Sequence, residues 1–304
     1  DLLKISGCEK DNRLKHFLDL QLKLYSQEIS NSTAALYGST VLQMPQFPLG
    51  LWHLHGSMQV LSDHLAASIN RDGGRILLLN RVVDLIYLQE EKSLKINVIN
   101  SSRKRLAMKA KDVIFAIPPQ SILQLMSVGN GLPKNYKKYI ENLNIPSGAI
   151  VFYGALNRAD LPNNCPSHIQ ISTNNFFSLF ISVSQDGDGR APIGQATVIA
   201  SAFADTSKWM LIEESNYQMH KEIELAKFLQ DLGSWLKKPS QIWLHKELAT
   251  PRSFAKWTNR PNGIVGGLGQ QQFNFGPFGI ASRSPIEGLW LCGDSIYPGE
   301  GTAG

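Results

Sequence analysis

The sequence predicts an α/β chain of mixed α+β character, with part of an open parallel sheet joined to a region built on a mainly antiparallel sheet. Three observations carry this. Apolar residues recur at helical spacing in three stretches. Two short apolar runs, 112–117 and 289–292, read as buried strands that stop abruptly at Pro118-Pro119 and at Gly293-Asp294. Between them, 149–156, 176–184 and 195–203 read as strands separated by polar turns. With 304 residues there is chain enough for two cores, and 43% apolar against 18% charged residues places it among folded proteins rather than disordered ones.

The elements follow in order. Leu14, Phe17, Leu18, Leu22 and Tyr25 mark a helix within 10–30. Residues 44–52 are apolar but broken by Pro and Gly, so a loop with buried side chains is expected there. Ser57 then caps a helix carrying Met58, Leu61, Leu65 and Ile69, stopped by Gly73-Gly74. A short apolar strand is expected at 75–79, followed by a hairpin of 82–88 with 94–100. Arg103-Lys104-Arg105 sits at a second hairpin tip, before the buried run at 112–117. Beyond the strands at 149–203, a turn at 185–190 and a long amphipathic helix at 216–236 precede a strand at 242–248. The stretch 251–285, dense in Gly, Pro and aromatics, reads as loop, and 289–292 as the last strand.

Composition narrows the chemistry. Net charge is +5, from scattered basic residues, so a nucleic-acid partner is not expected, while weak attraction to an anionic membrane surface stays open. No run approaches the ~18 apolar residues that span a bilayer. Cys8, Cys165 and Cys292 are too far apart for a zinc knuckle or redox pair and fit a reducing compartment. His53 and His55 share a strand-like spacing with no acidic or Cys partner nearby, so no metal site is expected. Neither end has the look of a natural terminus, and a large internal piece of a longer protein is expected.

The stretch that carries chemistry begins at Gly288. A buried strand delivers Gly293 and Asp294 at its carboxyl end, where ligands sit on an open α/β sheet. Glycine lets backbone approach a ligand, and Asp accepts hydrogen bonds from sugar-alcohol hydroxyls. A second Gly-rich turn, Pro298-Gly299-Glu300-Gly301-Thr302-Ala303-Gly304, then exposes backbone N–H groups. A tight turn with Asp as a helix cap is the plainer reading of Gly-Asp alone.

This tail resembles the C-terminal FAD motif of the phytoene desaturase and carotenoid isomerase family. Together with Leu51-Trp52-His53-Leu54-His55-Gly56-Ser57, Gly263-Ile264-Val265-Gly266-Gly267-Leu268-Gly269 and Phe275-Gly276-Pro277-Phe278-Gly279, it is most similar to the carotenoid 3′,4′-desaturase branch found in cyanobacteria. The resemblance runs over essentially the whole chain and implies a partial FAD-binding Rossmann-like domain plus a substrate domain. The boundaries it suggests assign 1–51 to the substrate domain, 52–120 to the FAD-binding domain, 121–285 to the substrate domain and 286–304 to the C-terminal FAD motif. It implies that Gly293 and Asp294 bind the ribityl–phosphate part of FAD. Gly301 and Thr302 would approach the isoalloxazine, Val83 would offer its backbone to the adenine, and Ala116 would line the cofactor near the pyrophosphate. One departure stands out: no G-x-G-x-x-G unit for the pyrophosphate occurs, so this chain alone is expected to bind FAD poorly.

The substrate implied is a carotenoid, held at the cytoplasmic side of a membrane by a peripheral protein. Its C–H bonds are too weakly acidic for a side-chain base, so a two-electron acceptor is required. The protein's share is an apolar wall. Trp52, Phe275 and Phe278 are the chosen lining residues, with Phe47, Leu49, Phe273 and the 176–180 strand as further candidates, each open to the plainer reading of a core residue. Arg252 and Glu300, polar residues inside apolar motif regions, are the candidates for catalysis. A carotenoid cis–trans isomerase and a non-catalytic carotenoid-binding fragment are the alternatives to a desaturase, and no motif names the terminal electron acceptor.

Overall fold

The computed structural model describes residues 2–301 apart from Phe47, Leu49, Leu51, His53 and 127–130. After the short α1 (Leu2–Ile5), Asp11 caps α2 (Asn12–Ser26), its Oδ1 accepting the N–H groups of Arg13 and Leu14 at 3.0 Å each. The helix stops where Gln27 turns left-handed, φ 62°. α3 (Ala35–Gln43) packs back on α2. α4 (Gln59–Arg71) forms as expected, with Ser57 Oγ accepting the Gln59 N–H at 3.2 Å. Its apolar stripe of Met58, Leu61, Leu65 and Ile69 is exposed.

Two expectations on this stretch fail. Within the 44–52 loop, Met44 and Trp52 are exposed rather than buried, Trp52 at 90%. The strand at 75–79 does not form; the run is coil and turn, with Leu78 and Leu79 about 80% exposed. An apolar run becomes a strand only when a neighbour completes its hydrogen-bond ladder, and no described strand pairs with this one.

β1 (Arg81–Leu88), β2 (Ser93–Ile99) and β3 (Arg105–Ala110) form an antiparallel sheet, with Arg103 at φ 58° in the second turn. The strand expected over 112–117 is the three-residue β4 (Val113–Phe115). Phe115 is buried in it but Ile114 is exposed, so the run is not the fully buried one expected. α5 (Ile122–Leu125) and α6 (Lys134–Glu141) follow. A five-stranded antiparallel sheet then uses β5 (Gly148–Asn157), β6 (His168–Ile171), β7 (Leu179–Val183) and β8 (Gln195–Ala204). α7 (Thr206–Leu211) and the 23-residue α8 (Glu214–Leu236) precede its edge strand β9 (His245–Ala249), giving the order β6-β7-β8-β5-β9. In β8 every second residue from Ala196 to Ala202 is buried, the period of a half-buried strand. Its inner face meets α8, where Phe228 stacks on Phe152. A helix that sequence reasoning left as loop, α9 (Pro251–Thr258), starts from a Thr250–Ser253 capping box with Pro251 in its first turn. The last strand, β10 (Leu289–Leu291), runs parallel to β4. None of the described helices is long and apolar enough to cross a membrane.

The residues pack into two compact units, one of 1–45, 73–146 and 266–304, the other of 46–72 and 147–265. Residues 1–45, expected with the substrate part, cluster instead with the β4–β10 unit. The cause is local: Gln270 donates its N–H to Ser26 O at 2.9 Å and accepts the Ala34 N–H on its carbonyl at 2.8 Å. Residues 52–72, expected with the FAD part, cluster with the five-stranded sheet, where the Gly56 N–H meets Asp188 O at 3.1 Å. The second unit closes on itself, since the Val265 N–H donates to Ser147 O at 2.9 Å.

The 185–190 turn is held by Asp188. Burial pushes its carboxyl up, but Arg190 (2.7 Å) and the N–H groups of Arg190 and Gln185 outweigh this and hold it down at about 2, below the ordinary 3.8. A depressed carboxylate stabilises the fold above its unfolded value and ceases to do so as pH falls through its folded value. Between about pH 4 and about pH 2 the chain should therefore lose ~1 kcal/mol through this residue, allowing for solvent screening. Denaturant melts across that window check it: Asp188→Asn should flatten this part of the acid slope.

Candidate functional site

The site is built where β4 and β10 end side by side. Leu291 pairs with Phe115, and the Cys292 N–H continues the ladder to Phe115 O at 3.2 Å. Ala116 and Gly293 thus leave the sheet at the same carboxyl edge, though most of the chain separates them. Ala116 is exposed there, and the chain behind it turns down into buried Pro118 and Pro119.

Beyond β10 the backbone makes two linked turns. The Ile296 N–H returns to Gly293 O at 3.0 Å, and the Gly299 N–H to Ile296 O at 3.1 Å. Tyr297 N–H donates to Ile280 O at 2.8 Å, tying the turn to the chain just after Phe275–Gly279. Asp294 is half-buried, with Ser295 Oγ 3.4 Å from its Oδ1.

The glycines divide into two kinds. A Cβ on Gly267 would come within 2.0 Å of Asp294 O, so that glycine serves internal packing. Among the described residues, nothing lies within 4 Å of the place a Cβ would take on Gly293 (φ 127°) or Gly301 (φ 96°). They present bare backbone to open space, in conformations that L side chains rarely adopt. This cradle, beside an Asp carboxylate at the carboxyl end of parallel strands, fits a nucleotide cofactor bearing hydroxyls. Gly293, Asp294, Gly301 and Ala116 are the residues that would hold it; Thr302 lies outside the described residues.

Val83 lies in a different sheet and is the extra residue of a β-bulge: Val82 pairs with Val98 and Asp84 with Asn97, leaving Val83 without an opposite number. Bulges free backbone from the ladder, which suits a residue expected to act through its main chain.

The aromatic candidates separate. Phe275 is half-buried and meets Tyr37 edge-on, with ring centroids 5.4 Å apart. Phe278, in a short 3-10 turn, is 67% exposed. Phe273 and Trp52 are exposed, whereas Phe176 is a core residue on Phe228. Phe47, Leu49 and His53 lie outside the described residues.

Tyr37 was not foreseen. Its hydroxyl donates to Tyr25 O at 3.0 Å, and burial first, then the Glu300 charge, push its phenol up to about 12. Gln27 and Gln270 also went unforeseen, both buried against the glycine segment. A carboxamide or phenol brought in from a distant helix leaves no local spacing to read.

The two catalytic candidates take different places. Glu300 Oε1 accepts the Gly267 N–H at 3.3 Å, within the turn itself. Arg252 belongs to the other unit and is committed to structure. Its Nε donates to Trp209 O at 3.0 Å, Nη1 meets Glu214 at 2.8 Å, Nη2 donates to Ile212 O, and its guanidinium lies over the Tyr217 ring. It staples α7 and α8 to α9. Arg252→Ala should cost ~1–2 kcal/mol in a denaturant melt, mostly from the lost carbonyl contacts, because Glu214 is exposed. FAD affinity should stay unchanged.

Comparison with known proteins gives the family and the fold. The family model for flavin containing amine oxidoreductases matches residues 6–299. No curated relative matches the chain. Among solved structures, an oxidoreductase from Methanosarcina mazei superposes with a TM-score of 0.68 at 17% identity, over 97% of this chain and 62% of its own. A flavoprotein/dehydrogenase from Cytophaga hutchinsonii gives 0.39 at 11% identity, over 66% of this chain and 43% of its own. The chain thus spans 62% of the length of the first of these. The family match over 6–299, with the parallel strand ends and their open-sided glycines, assigns this chain to the flavin-containing amine oxidoreductases.

Proposed function

We propose that the chain is the greater part of a FAD-dependent oxidoreductase that desaturates a carotenoid near its ψ end, in a 3′,4′-desaturase-like reaction. Two hydrogens leave adjacent carbons, one as hydride to the cofactor and one as a proton released to solvent, and a C=C bond forms. The observation that carries the reading is the pair of open-sided glycines, Gly293 and Gly301, in one compact unit with the Tyr37–Phe275 aromatic pair. When bound, FAD supplies the acceptor for the hydride.

The chain's own residues bind and orient. Gly293 and Gly301 admit the cofactor against bare backbone, and Asp294 accepts hydrogen bonds from its ribityl hydroxyls. Ala116 lines the pyrophosphate side, and the Val83 bulge offers main chain to the adenine. Phe275, with Tyr37 behind it, and Phe278 give an apolar wall that excludes water from a polyene. A polyene partitions into lipid, so the same reading puts the protein peripherally at the cytoplasmic side of a membrane.

The test uses the full-length protein with FAD and open-chain carotenoids, analysed by mass and visible spectrum. A product lighter by two hydrogens, with a longer conjugated system, is expected. Unchanged mass with altered cis–trans geometry would transfer the site to isomerisation. Carotenoid bound but returned unchanged would sink the enzymatic reading.

A further inference from the structure

Glu300 sits between two glycines, Gly299 at φ 147° and Gly301 at φ 96°, so its own is the sole side chain able to anchor this three-residue turn. Glycine backbone is the most costly to order. A solvating role would leave the carboxylate pointing into water. Instead the residue is half-buried, and Oε1 accepts the Gly267 N–H at 3.3 Å. A Cβ on Gly266 would lie 2.7 Å from both that Oε1 and Gln27 Nε2, so the carboxylate occupies a slot that only glycine leaves open. The backbone of Gln27 is held at the end of α2, where Lys23 Nζ donates to its main-chain carbonyl at 2.6 Å. Gln270, 2% exposed, donates Nε2 to Leu268 O at 2.8 Å, and its Oε1 lies 2.8 Å from where a Cβ on Gly299 would stand.

We propose that Glu300 is a positioning residue: its carboxylate clamps the Gly299–Gly301 turn to the Gly266–Gly267 segment and so fixes the height at which the open side of Gly301 meets the flavin ring. The clamp rests on the flavin reading above for its purpose, though not for its existence. It acts through backbone, without Glu300 touching substrate. The anchor's function needs an acceptor oxygen, not a negative charge, so glutamine should replace it and alanine should not. The share of the upward push on the Tyr37 phenol that comes from Glu300 is a side effect of the carboxylate's location.

The experiment compares Glu300→Gln, Glu300→Ala and Gly266→Ala by amide hydrogen exchange of 266–268 and 299–301, with and without FAD. It adds FAD titration and the flavin's visible spectrum in the full-length protein. Glu300→Ala should speed exchange in both segments, raise the FAD dissociation constant about 10-fold and shift the flavin band. Glu300→Gln should stay within about 3-fold of wild type, below the ~1.4 kcal/mol that a tenfold change represents. Gly266→Ala should reproduce the alanine phenotype with Glu300 intact, because its methyl evicts the carboxylate. Unchanged exchange in Glu300→Ala would overturn the clamp, as would a Glu300→Gln variant as damaged as Glu300→Ala. Failure of wild type to take up FAD would count against the flavin reading alone, since exchange without FAD still tests the clamp.

Discussion

Asp294→Ala should weaken FAD binding roughly 100-fold, with a smaller effect on the melting curve of the flavin-free protein. Hydrogen bonds to a charged acceptor contribute ~1.5–3 kcal/mol each, and this carboxylate is offered at the carboxyl edge of two parallel strands with open backbone before it. Loss of about 2.7 kcal/mol is a factor of 100. Stability should fall by less than affinity does, because alanine keeps the main-chain contact of Asp294 with Gly267. Asp294→Asn, which retains one acceptor, should fall between. The measurement is titration of the apoprotein with FAD by flavin fluorescence. Equal affinity for wild type and alanine variant would remove the cofactor site from this turn.

Gly267→Ala attacks the same turn from the other side and should cost ~3 kcal/mol or more of folding stability. The new methyl would lie 2.0 Å from Asp294 O and 2.9 Å from Ser295 N, both main-chain atoms that cannot swing away as a side chain tip could. Overpacking of a core costs ~1–3 kcal/mol, and an overlap with backbone belongs at the upper end. Moving Asp294 also moves its carboxylate, so FAD affinity should fall with stability. Asp294→Ala should separate the two effects and Gly267→Ala should join them. A Gly267→Ala protein that melts like wild type would show that the two segments do not pack as described.

The strand before Gly293 was legible because a buried apolar run and its abrupt Gly-Asp stop are both local. So was α8, whose spacing extends over many turns. The run 75–79 shows the limit: apolar content does not reveal whether a neighbouring strand exists to complete a ladder. α9 was hidden by composition, since a Gly- and Pro-rich surrounding masks a Thr-Pro start that is itself a helix signal. At the site, Asp294 and the glycines could be read, but not which glycines face open space. That distinction depends on Gln27, Tyr37 and Gln270, which converge only through tertiary contacts. Arg252 shows a related ambiguity, because a polar residue amid apolar ones marks a structural staple as well as a reactive group, and its donors are taken up by α7, Ile212 and α8.

The hydrogen bond between Val265 and Ser147 has a consequence for assembly. β4 and β10 must find each other across more than half the chain, a search whose entropic penalty grows with the length of free polymer between them. Once residues 147–265 have folded, their two ends are already neighbours, and the effective tether shrinks to the short stretches on either side. The antiparallel half thereby acts as a preformed buckle for the parallel half. On this entropic argument the cofactor cradle should mature after the intervening half has closed its own ends.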